Sequence, residues 1–265
     1  MIGIFDSGVG GMTVAQAIET IVPQYPLIYF GDIAHSPYGS KSPDAITGYC
    51  RRNMEFLLKQ GATVVVIACN SASATSSEAL RQRYSIPIID VLTATIEQAA
   101  AVTTNQRIGI IGTMATVRSK VYEQRIKELI PKCQVMSQPC PLLVPLIEEN
   151  WLEKKETKMI LKRYLHPLRL LQIDTLILGC THYPLLSKLI QHRIGKRVRL
   201  IDSSMETARQ LKVFLNKNPN IVQQRPEKSP FHPNSRFFVS DFTAPVQQLA
   251  DQIFGRPITL EKTDG

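Results

Sequence analysis

Short apolar runs alternate with longer segments of helical periodicity along most of this chain. Each apolar run predicts a strand, and the runs lie near residues 2–5, 27–30, 63–68, 86–91, 107–111, 174–178 and 198–201. The periodic segments predict helices near 12–21, 43–60, 72–83, 94–102, 116–130, 154–171, 184–193 and 204–216. A polar stretch over 217–235 predicts a loop, followed by a strand at 236–240 and a helix near 244–254.

This alternation is typical of an α/β fold in which helices cover both faces of parallel, doubly wound sheets. The number of strands indicates two sheets rather than one. We expect a first α/β domain built from residues 1–94 and 206–265 and a second from residues 95–205. The first boundary then falls near Leu92–Thr95, and ligands are expected in the cleft between the domains.

Polar residues follow the predicted strands at the point where each apolar run ends. These groups are Asp6-Ser7, Gly31-Asp32, Cys69-Asn70-Ser71, Gly112-Thr113, Cys180-Thr181-His182 and Asp202-Ser203. In open parallel sheets, ligands bind outside the carboxyl ends of the strands. The repeated pattern therefore predicts a functional site made of strand ends.

Two of the five cysteines, Cys69 and Cys180, occupy matching strand ends in the two halves, and the chain has no C-x-x-C pair. A thiolate is a working base, so two thiols at such positions predict acid/base chemistry on two sides of one substrate. Asp6 and His182 are candidate helpers for the thiols. A zinc site of Cys69, Cys180 and His182 is the chemical alternative, and it is disfavoured because zinc signatures usually include a close ligand pair.

Two loops near these strand ends have more than one interpretation. The turn Asp6-Ser7-Gly8-Val9-Gly10-Gly11 either exposes backbone N–H groups to an anion or is a tight turn capped by Asp6. It lacks the Lys-Ser/Thr of a P-loop and does not fit G-x-G-x-x-G. The loop with Pro37-Tyr38-Gly39 either projects one phenol hydroxyl into a site or forms an ordinary surface turn.

Taken in order, five motifs resemble glutamate racemase, of the aspartate/glutamate racemase superfamily. The motifs are Asp6-Ser-Gly-Val-Gly-Gly11, Pro37-Tyr-Gly39, Ala68-Cys-Asn-Ser-Ala72, Gly179-Cys-Thr-His-Tyr-Pro184 and Ile201-Asp-Ser203. The resemblance implies a cofactor-independent isomerase of cell-wall synthesis that interconverts L- and D-glutamate. It also implies two α/β domains related by approximate twofold symmetry, with glutamate held between them.

The resemblance assigns roles to particular residues. It implies that Cys69 and Cys180 are the two acid/base residues, that Asp6 assists Cys69, and that Glu148 and His182 assist Cys180. Nine residues match substrate-contact positions, namely Ser7, Pro37, Tyr38, Gly39, Asn70, Ser71, Thr113, Thr116 and Thr181. Three departures bear on these roles: Ser71 stands where threonine is common, Ala115 replaces a frequent glycine, and Glu149 leaves the position of the glutamate open by one residue.

The remaining expectations concern partners and location. No signal segment or membrane span is visible in the sequence, so we expect a cytoplasmic protein, and the resemblance leads us to expect a homodimer. The net charge of +9 indicates a mildly basic, solvated surface as the preferred interpretation. Two alternatives stay open at this point: a related racemase such as one for aspartate, and a binding protein acting on nucleic acid or DNA gyrase.

Overall fold

The computed structural model describes residues 1–223 and 232–263. Its strands are β1 Ile2–Asp6, β2 Leu27–Gly31, β3 Val64–Ile67, β4 Ile88–Asp90, β5 Arg107–Gly112, β6 Gln134–Pro139, β7 Thr175–Gly179, β8 Arg199–Asp202, β9 Arg236–Val239 and β10 Leu260–Lys262. Its α-helices are α1 Met12–Ile21, α2 Pro43–Lys59, α3 Asn70–Arg83, α4 Val91–Val102, α5 Met114–Ser119, α6 Val121–Leu129, α7 Leu143–Glu148, α8 Lys155–Leu170, α9 Ser187–Ile194, α10 Ser203–Lys217 and α11 Ala244–Phe254.

The strands form two separate parallel sheets. One has six strands in the order β10-β9-β2-β1-β3-β4, and the other has four in the order β6-β5-β7-β8. The central strands β1, β3 and β7 are buried along their whole length, as expected for parallel strands with both faces covered. The predicted α/β fold with two parallel sheets is confirmed.

The sheets place the two cysteine-bearing strand ends at corresponding positions. In the first sheet, β3 pairs with β1, so Cys69 follows a strand next to the one that ends at Asp6. In the second sheet, β7 pairs with both β5 and β8, so Cys180 follows a central strand. The exact domain boundaries at 94 and 205 stay predictions.

Helix caps fix the strand-to-helix turns at these ends. Cys69 is the N-cap of α3 and its sulfur accepts the N–H of Ala72, while Thr113 caps α5 by accepting the N–H of Thr116. Asp202 caps α10 in the same way through the N–H of Ser204. Because an N-cap side chain faces the first turn of its helix, these caps hold the polar groups at the carboxyl edge of each sheet.

Several predicted elements differ from the observed ones. The helix predicted at 116–130 is two helices, because Lys120 has a left-handed φ of 57° and interrupts the chain between α5 and α6. The pattern did not predict β6, an edge strand with partly exposed residues, or the three-residue edge strand β10. It also missed the short helix α7, which contains Pro145. Of the loop predicted at 217–235, residues 224–231 lie outside the described residues.

One buried cluster extends across both sheets. It contains Ile2 and Ile4 of β1 together with Leu176 and Leu178 of β7. Burial of such side chains is the main favourable term in folding. Because this one cluster includes residues of both sheets, it holds the carboxyl ends of the two sheets together in one structure. Across residues 1–223 and 232–263, no helix combines the length and apolar character that crossing a membrane requires.

Candidate active site

A narrow cleft contains both matched cysteines. Most of the residues predicted for the site line it, and the full lining is Ser7, Ser36, Pro37, Tyr38, Gly39, Cys69, Asn70, Ser71, Thr113, Val144, Cys180, Thr181 and His182. Both thiols are buried and neither forms a disulfide. Three predicted site residues, Asp6, Glu148 and Thr116, are not in this lining and contact it from behind.

Cys69 lies at the start of α3, in contact with a hydroxyl group. Its thiol is 3.5 Å from Ser7 Oγ, and its sulfur accepts the N–H of Ala72 at 3.4 Å. Burial, and then the negative charge of Asp6, raise the pKa of Cys69 to about 12, although both hydrogen bonds act in the opposite direction. Cys69 in this environment is therefore a thiol at neutral pH.

Cys180 has a different environment, formed by a histidine and a carboxylate. His182 Nδ1 is 3.9 Å from Cys180 Sγ, and His182 Nε2 is 3.0 Å from Glu148 Oε1. Burial of the ring opposes its charge, but the hydrogen bonds to Cys180 and Glu148 outweigh this and raise the pKa of His182 to about 10. The imidazole therefore links Cys180 to the carboxylate of Glu148.

The structure distinguishes the two adjacent glutamates. Glu148 ends α7 and forms the contact with His182, whereas Glu149 follows the helix and is exposed. The Glu148 side chain is 38% exposed, so it connects the buried histidine to the surface. The sequence left this position open by one residue, and only the orientation of α7 separates the two.

Asp6 lies between the two half-sites rather than on the Cys69 side alone. Its carboxylate accepts the N–H of Gly8 at 2.9 Å and the hydroxyl of Thr181 at 3.4 Å. Burial raises the pKa of Asp6 to about 6, while the charge of His182 and these hydrogen bonds limit the rise. Asp6 therefore interacts electrostatically with groups in both halves of the cleft.

The glycine-rich turn provides space for these side chains. A Cβ at Gly10 would lie 2.3 Å from His182 Nδ1, and a Cβ at Gly11 would lie 2.2 Å from Asp6 Cβ. Asp6 also accepts a hydrogen bond within the turn, from Gly8, as the tight-turn interpretation requires. The glycines thus let the turn approach two candidate catalytic side chains more closely than any other residue would allow.

Three hydroxyl groups meet across the cleft. Ser71 Oγ is 2.8 Å from Thr113 Oγ1 and 3.4 Å from Thr116 Oγ1, and the two threonine oxygens are 3.2 Å apart. Ser71 belongs to α3 and the threonines to the start of α5, so the cluster joins the two halves. The serine at position 71 keeps the hydroxyl needed for these contacts, and Ala115 is buried in α5.

The Pro37-Tyr38-Gly39 loop is held by a buried carboxylate. Asp32 accepts the phenol hydroxyl of Tyr38 at 2.6 Å, and Asn53 donates to the same phenol oxygen at 3.1 Å. Tyr38 is fully buried, so the structure overturns the surface-turn interpretation of this loop. The Tyr38 hydroxyl therefore already donates its hydrogen bond to Asp32. The neighbouring Gly39 packs against Thr113 so closely that a Cβ at Gly39 would lie 2.6 Å from it.

Two residues of the cleft lining were not predicted from the sequence. Ser36 precedes Pro37 in the same loop, and Val144 lies in α7 four residues before Glu148. Ser36 is adjacent to a matched motif, which is a usable signal, whereas Val144 is an ordinary apolar residue with none. Within the described part of the chain, no group of three or more His, Cys, Asp and Glu side chains is arranged to hold a metal ion.

The chain is similar to known proteins over nearly its whole length. A family model described as Asp/Glu/Hydantoin racemase matches residues 11–211. The chain is 43% identical to a glutamate racemase of Geobacter metallireducens over 254 residues, which cover 96% of this chain and 92% of that protein. A crystal structure of a glutamate racemase isoform from Bacillus anthracis superposes with a TM-score of 0.92 at 35% identity, covering 100% of this chain and 97% of that one. A glutamate racemase from Francisella tularensis in complex with D-glutamate gives a TM-score of 0.90 at 33% identity, covering 99% and 96%.

Proposed function

Because the chain belongs to the Asp/Glu/Hydantoin racemase family, we propose that it interconverts L- and D-glutamate by proton transfer at Cα through Cys69 and Cys180. The enzyme is an isomerase. The observation that carries the two-cysteine mechanism is that both thiols line one cleft, each at the end of a strand from a different sheet.

Inverting the α-carbon requires removal of its hydrogen from one face and delivery of a proton to the other. In one direction, the thiolate of one cysteine takes the Cα proton and becomes a thiol, while the other cysteine gives its thiol proton to the opposite face and becomes a thiolate. The roles exchange in the reverse direction, so protons and charge balance over each turnover. Two groups on opposite walls perform this without any reorientation of the substrate.

The two cysteines have different neighbours. Burial and the charge of Asp6 raise the pKa of Cys69, whereas Cys180 contacts His182, whose own pKa, despite its burial, is raised to about 10 by its hydrogen bonds to Cys180 and Glu148. We infer that the ammonium group of bound glutamate supplies the positive charge that stabilises a thiolate on Cys69 when Cys69 acts as the base.

The carbanion-like state at Cα needs electrostatic stabilisation of the α-carboxylate. We propose that hydroxyl, amide and backbone N–H donors around the cleft bind the two carboxylates of glutamate. The donors proposed for this are the side chains of Ser7, Asn70, Ser71, Thr113 and Thr181 and the backbone N–H groups of Tyr38 and Gly39. Pro37, which has no N–H group, shapes the wall of the cleft, and Thr116 supports the hydroxyl of Ser71. Asp6, His182 and Glu148 act as helpers of the thiols rather than as direct bases.

The cleft must open for this reaction to occur. Its open space is about 20 Å³, which is comparable to the space that one water molecule needs. The hydroxyl contact between Ser71 and Thr113 joins the two walls of the cleft, so we expect it to separate when glutamate enters. We infer that the structure represents a closed arrangement and that substrate binding moves the two halves apart.

The cellular role follows from the activity. We propose that the enzyme supplies D-glutamate for peptidoglycan synthesis, acts in the cytoplasm and functions as a homodimer. These proposals rest on the family resemblance of the motifs, and size-exclusion chromatography with light scattering tests the dimer.

Circular dichroism of the purified chain without added pyridoxal phosphate tests the reaction directly. We expect L- and D-glutamate to reach the same racemic end point and aspartate to be turned over much more slowly. In deuterium oxide, we expect solvent deuterium at Cα of the product. Complete retention of the original hydrogen would contradict exchange through thiols, and preferential turnover of aspartate would replace the proposed substrate.

A further inference from the structure

A tyrosine outside the cleft contacts a residue of its lining. Tyr122 lies in α6, is almost fully buried, and donates its hydroxyl to Asn70 Oδ1 at 2.7 Å. Asn70 begins α3 and lines the cleft next to Cys69. The hydrogen bond therefore connects a helix that follows β5 to the cysteine-bearing end of β3, in the other sheet.

The direction of this hydrogen bond is determined by the chemistry of the two groups. Burial, and then the charges of Asp90 and Cys180, raise the pKa of the Tyr122 hydroxyl far above the working range, so it stays protonated. A protonated phenol with an amide partner at this distance is satisfied best when it donates to the amide oxygen. The oxygen of Asn70 thus faces Tyr122, and the amide NH2 group takes the other position.

The amide NH2 group has one weak partner among the described residues. Asn70 Nδ2 is 3.5 Å from Ser203 Oγ, and the Ser203 hydroxyl itself donates to the carbonyl of Leu178. An amide nitrogen carries two N–H donors, so at least one remains for a ligand in the cleft. A flipped amide would present its oxygen in that place and would repel a carboxylate.

We propose that Tyr122 is a positioning residue that fixes the Asn70 amide so that it presents N–H donors to a carboxylate of the bound amino acid. This inference rests on the proposed function and deepens it. Tyr122 lies outside the cleft and acts only through Asn70. Its ring also packs near Gly179, the residue before Cys180, since a Cβ at Gly179 would lie 3.5 Å from the ring. The same side chain therefore supports the chain on both sides of the cleft.

The variant Tyr122→Phe removes the hydroxyl and keeps the ring. We expect KM for both glutamate enantiomers to rise about tenfold, the effect of losing one well-placed hydrogen bond to a charged group, with kcat changing much less. In the background of Asn70→Ala, we expect Tyr122→Phe to have no further effect on KM, because Tyr122 acts only through that amide.

Tyr183→Phe is the matched control. Tyr183 is also fully buried and donates its hydroxyl to a backbone carbonyl, that of Cys140, at 3.1 Å. We expect both variants to lose similar stability in urea, whereas only Tyr122→Phe raises KM. A KM for Tyr122→Phe equal to that of the wild type would overturn the proposal, as would an equal rise in KM with and without the Asn70 amide.

A second measurement is independent of turnover. The side-chain amide signal of Asn70 in a 15N correlation spectrum is identified by its absence from Asn70→Ala. We expect its protons to exchange with solvent several-fold faster in Tyr122→Phe, and unchanged exchange would contradict the proposed contact. A wild-type chain that turns over neither enantiomer refutes the proposed function itself, whereas an active wild type with an unaffected Tyr122→Phe variant overturns only the role of Tyr122.

Discussion

Gly10 is the position where the smallest possible substitution tests the role of His182. A Cβ at this residue would lie 2.3 Å from His182 Nδ1, 2.4 Å from its Cε1 and 2.7 Å from Thr181 Oγ1. Ordinary contacts between such atoms are about 3.5 Å. In Gly10→Ala, either the imidazole or the turn therefore has to move by about 1 Å.

The imidazole has little freedom to make this movement. His182 is buried and is held at 3.0 Å by Glu148 on one side and at 3.9 Å by Cys180 on the other. Overpacking a buried site costs about 1–3 kcal/mol of unfolding free energy. A displacement of about 1 Å in a catalytic arrangement costs about a hundredfold in rate. We expect Gly10→Ala to show both losses.

Two assays measure these losses separately. Circular dichroism of glutamate racemisation gives kcat and KM, and urea unfolding gives the free energy of unfolding. Gly48→Ala is the matched control, because Gly48 lies inside α2 and a Cβ there has no neighbour within 4 Å. We expect this control to keep full activity and to gain about 0.5–1 kcal/mol of stability, since alanine replaces glycine within a helix.

Two results for Gly10→Ala would contradict these expectations. A kcat/KM within about twofold of the wild type, together with lost stability, would contradict the expected displacement of His182, because the turn would then have moved instead of the imidazole. Unchanged stability and unchanged activity would mean that the turn has more room than the structure indicates. Only a loss of both in Gly10→Ala, with neither lost in Gly48→Ala, agrees with the geometry described above.

Three further predictions concern single side chains. Cys69→Ala and Cys180→Ala should each abolish racemisation without unfolding the chain, and wild-type-like conversion by either variant would refute the two-base mechanism. Because the folded-state pKa of His182 is raised to about 10, its stabilising contribution is complete below an unfolded pKa of about 6.5 and is lost as pH rises through about 10. Urea unfolding from pH 6 to 10 should therefore fall more steeply for the wild type than for His182→Asn, and parallel curves would contradict this. Partial burial acts to raise the pKa of Asp174, but hydrogen bonds from Asn105, Thr103 and Thr104 together outweigh it and lower the pKa to about 2. The stabilising contribution of Asp174 is therefore present above an unfolded pKa of about 3.9 and disappears as pH falls through the folded value. Asp174→Asn should accordingly destabilise the chain at pH 7 and not near pH 2, as measured by the same unfolding assay.

The residues at the strand ends were predictable because they depend on a local pattern. A buried parallel strand reads as an apolar run, and the polar residues after it lie at the carboxyl edge of the sheet. Cys69 and Cys180 each follow such an apolar run, so the pattern alone predicts them as site residues. The structure places them in one cleft, together with most of the residues that the matched motifs supplied.

Other features of the site had no local signal. Tyr122 and Val144 are ordinary buried residues in their helices, and their neighbours in the cleft come from distant parts of the chain. The edge strand β6 and the interruption at Lys120 were missed for a related reason. In the edge strand β6, apolar and polar residues alternate only weakly. At Lys120, a single left-handed residue leaves the helical periodicity on either side nearly intact.

The sequence by itself determined the α/β class, the parallel strands and the chemistry at their ends, because burial imposes a periodicity on each element separately. The tertiary structure decided how the two edges face each other. It placed Asp6 between the half-sites, selected Glu148 over Glu149 and brought Tyr122 to Asn70. These contacts depend on packing between residues far apart in the chain. A periodic pattern describes one element at a time, so it does not predict the distance between two side chains on different sheets.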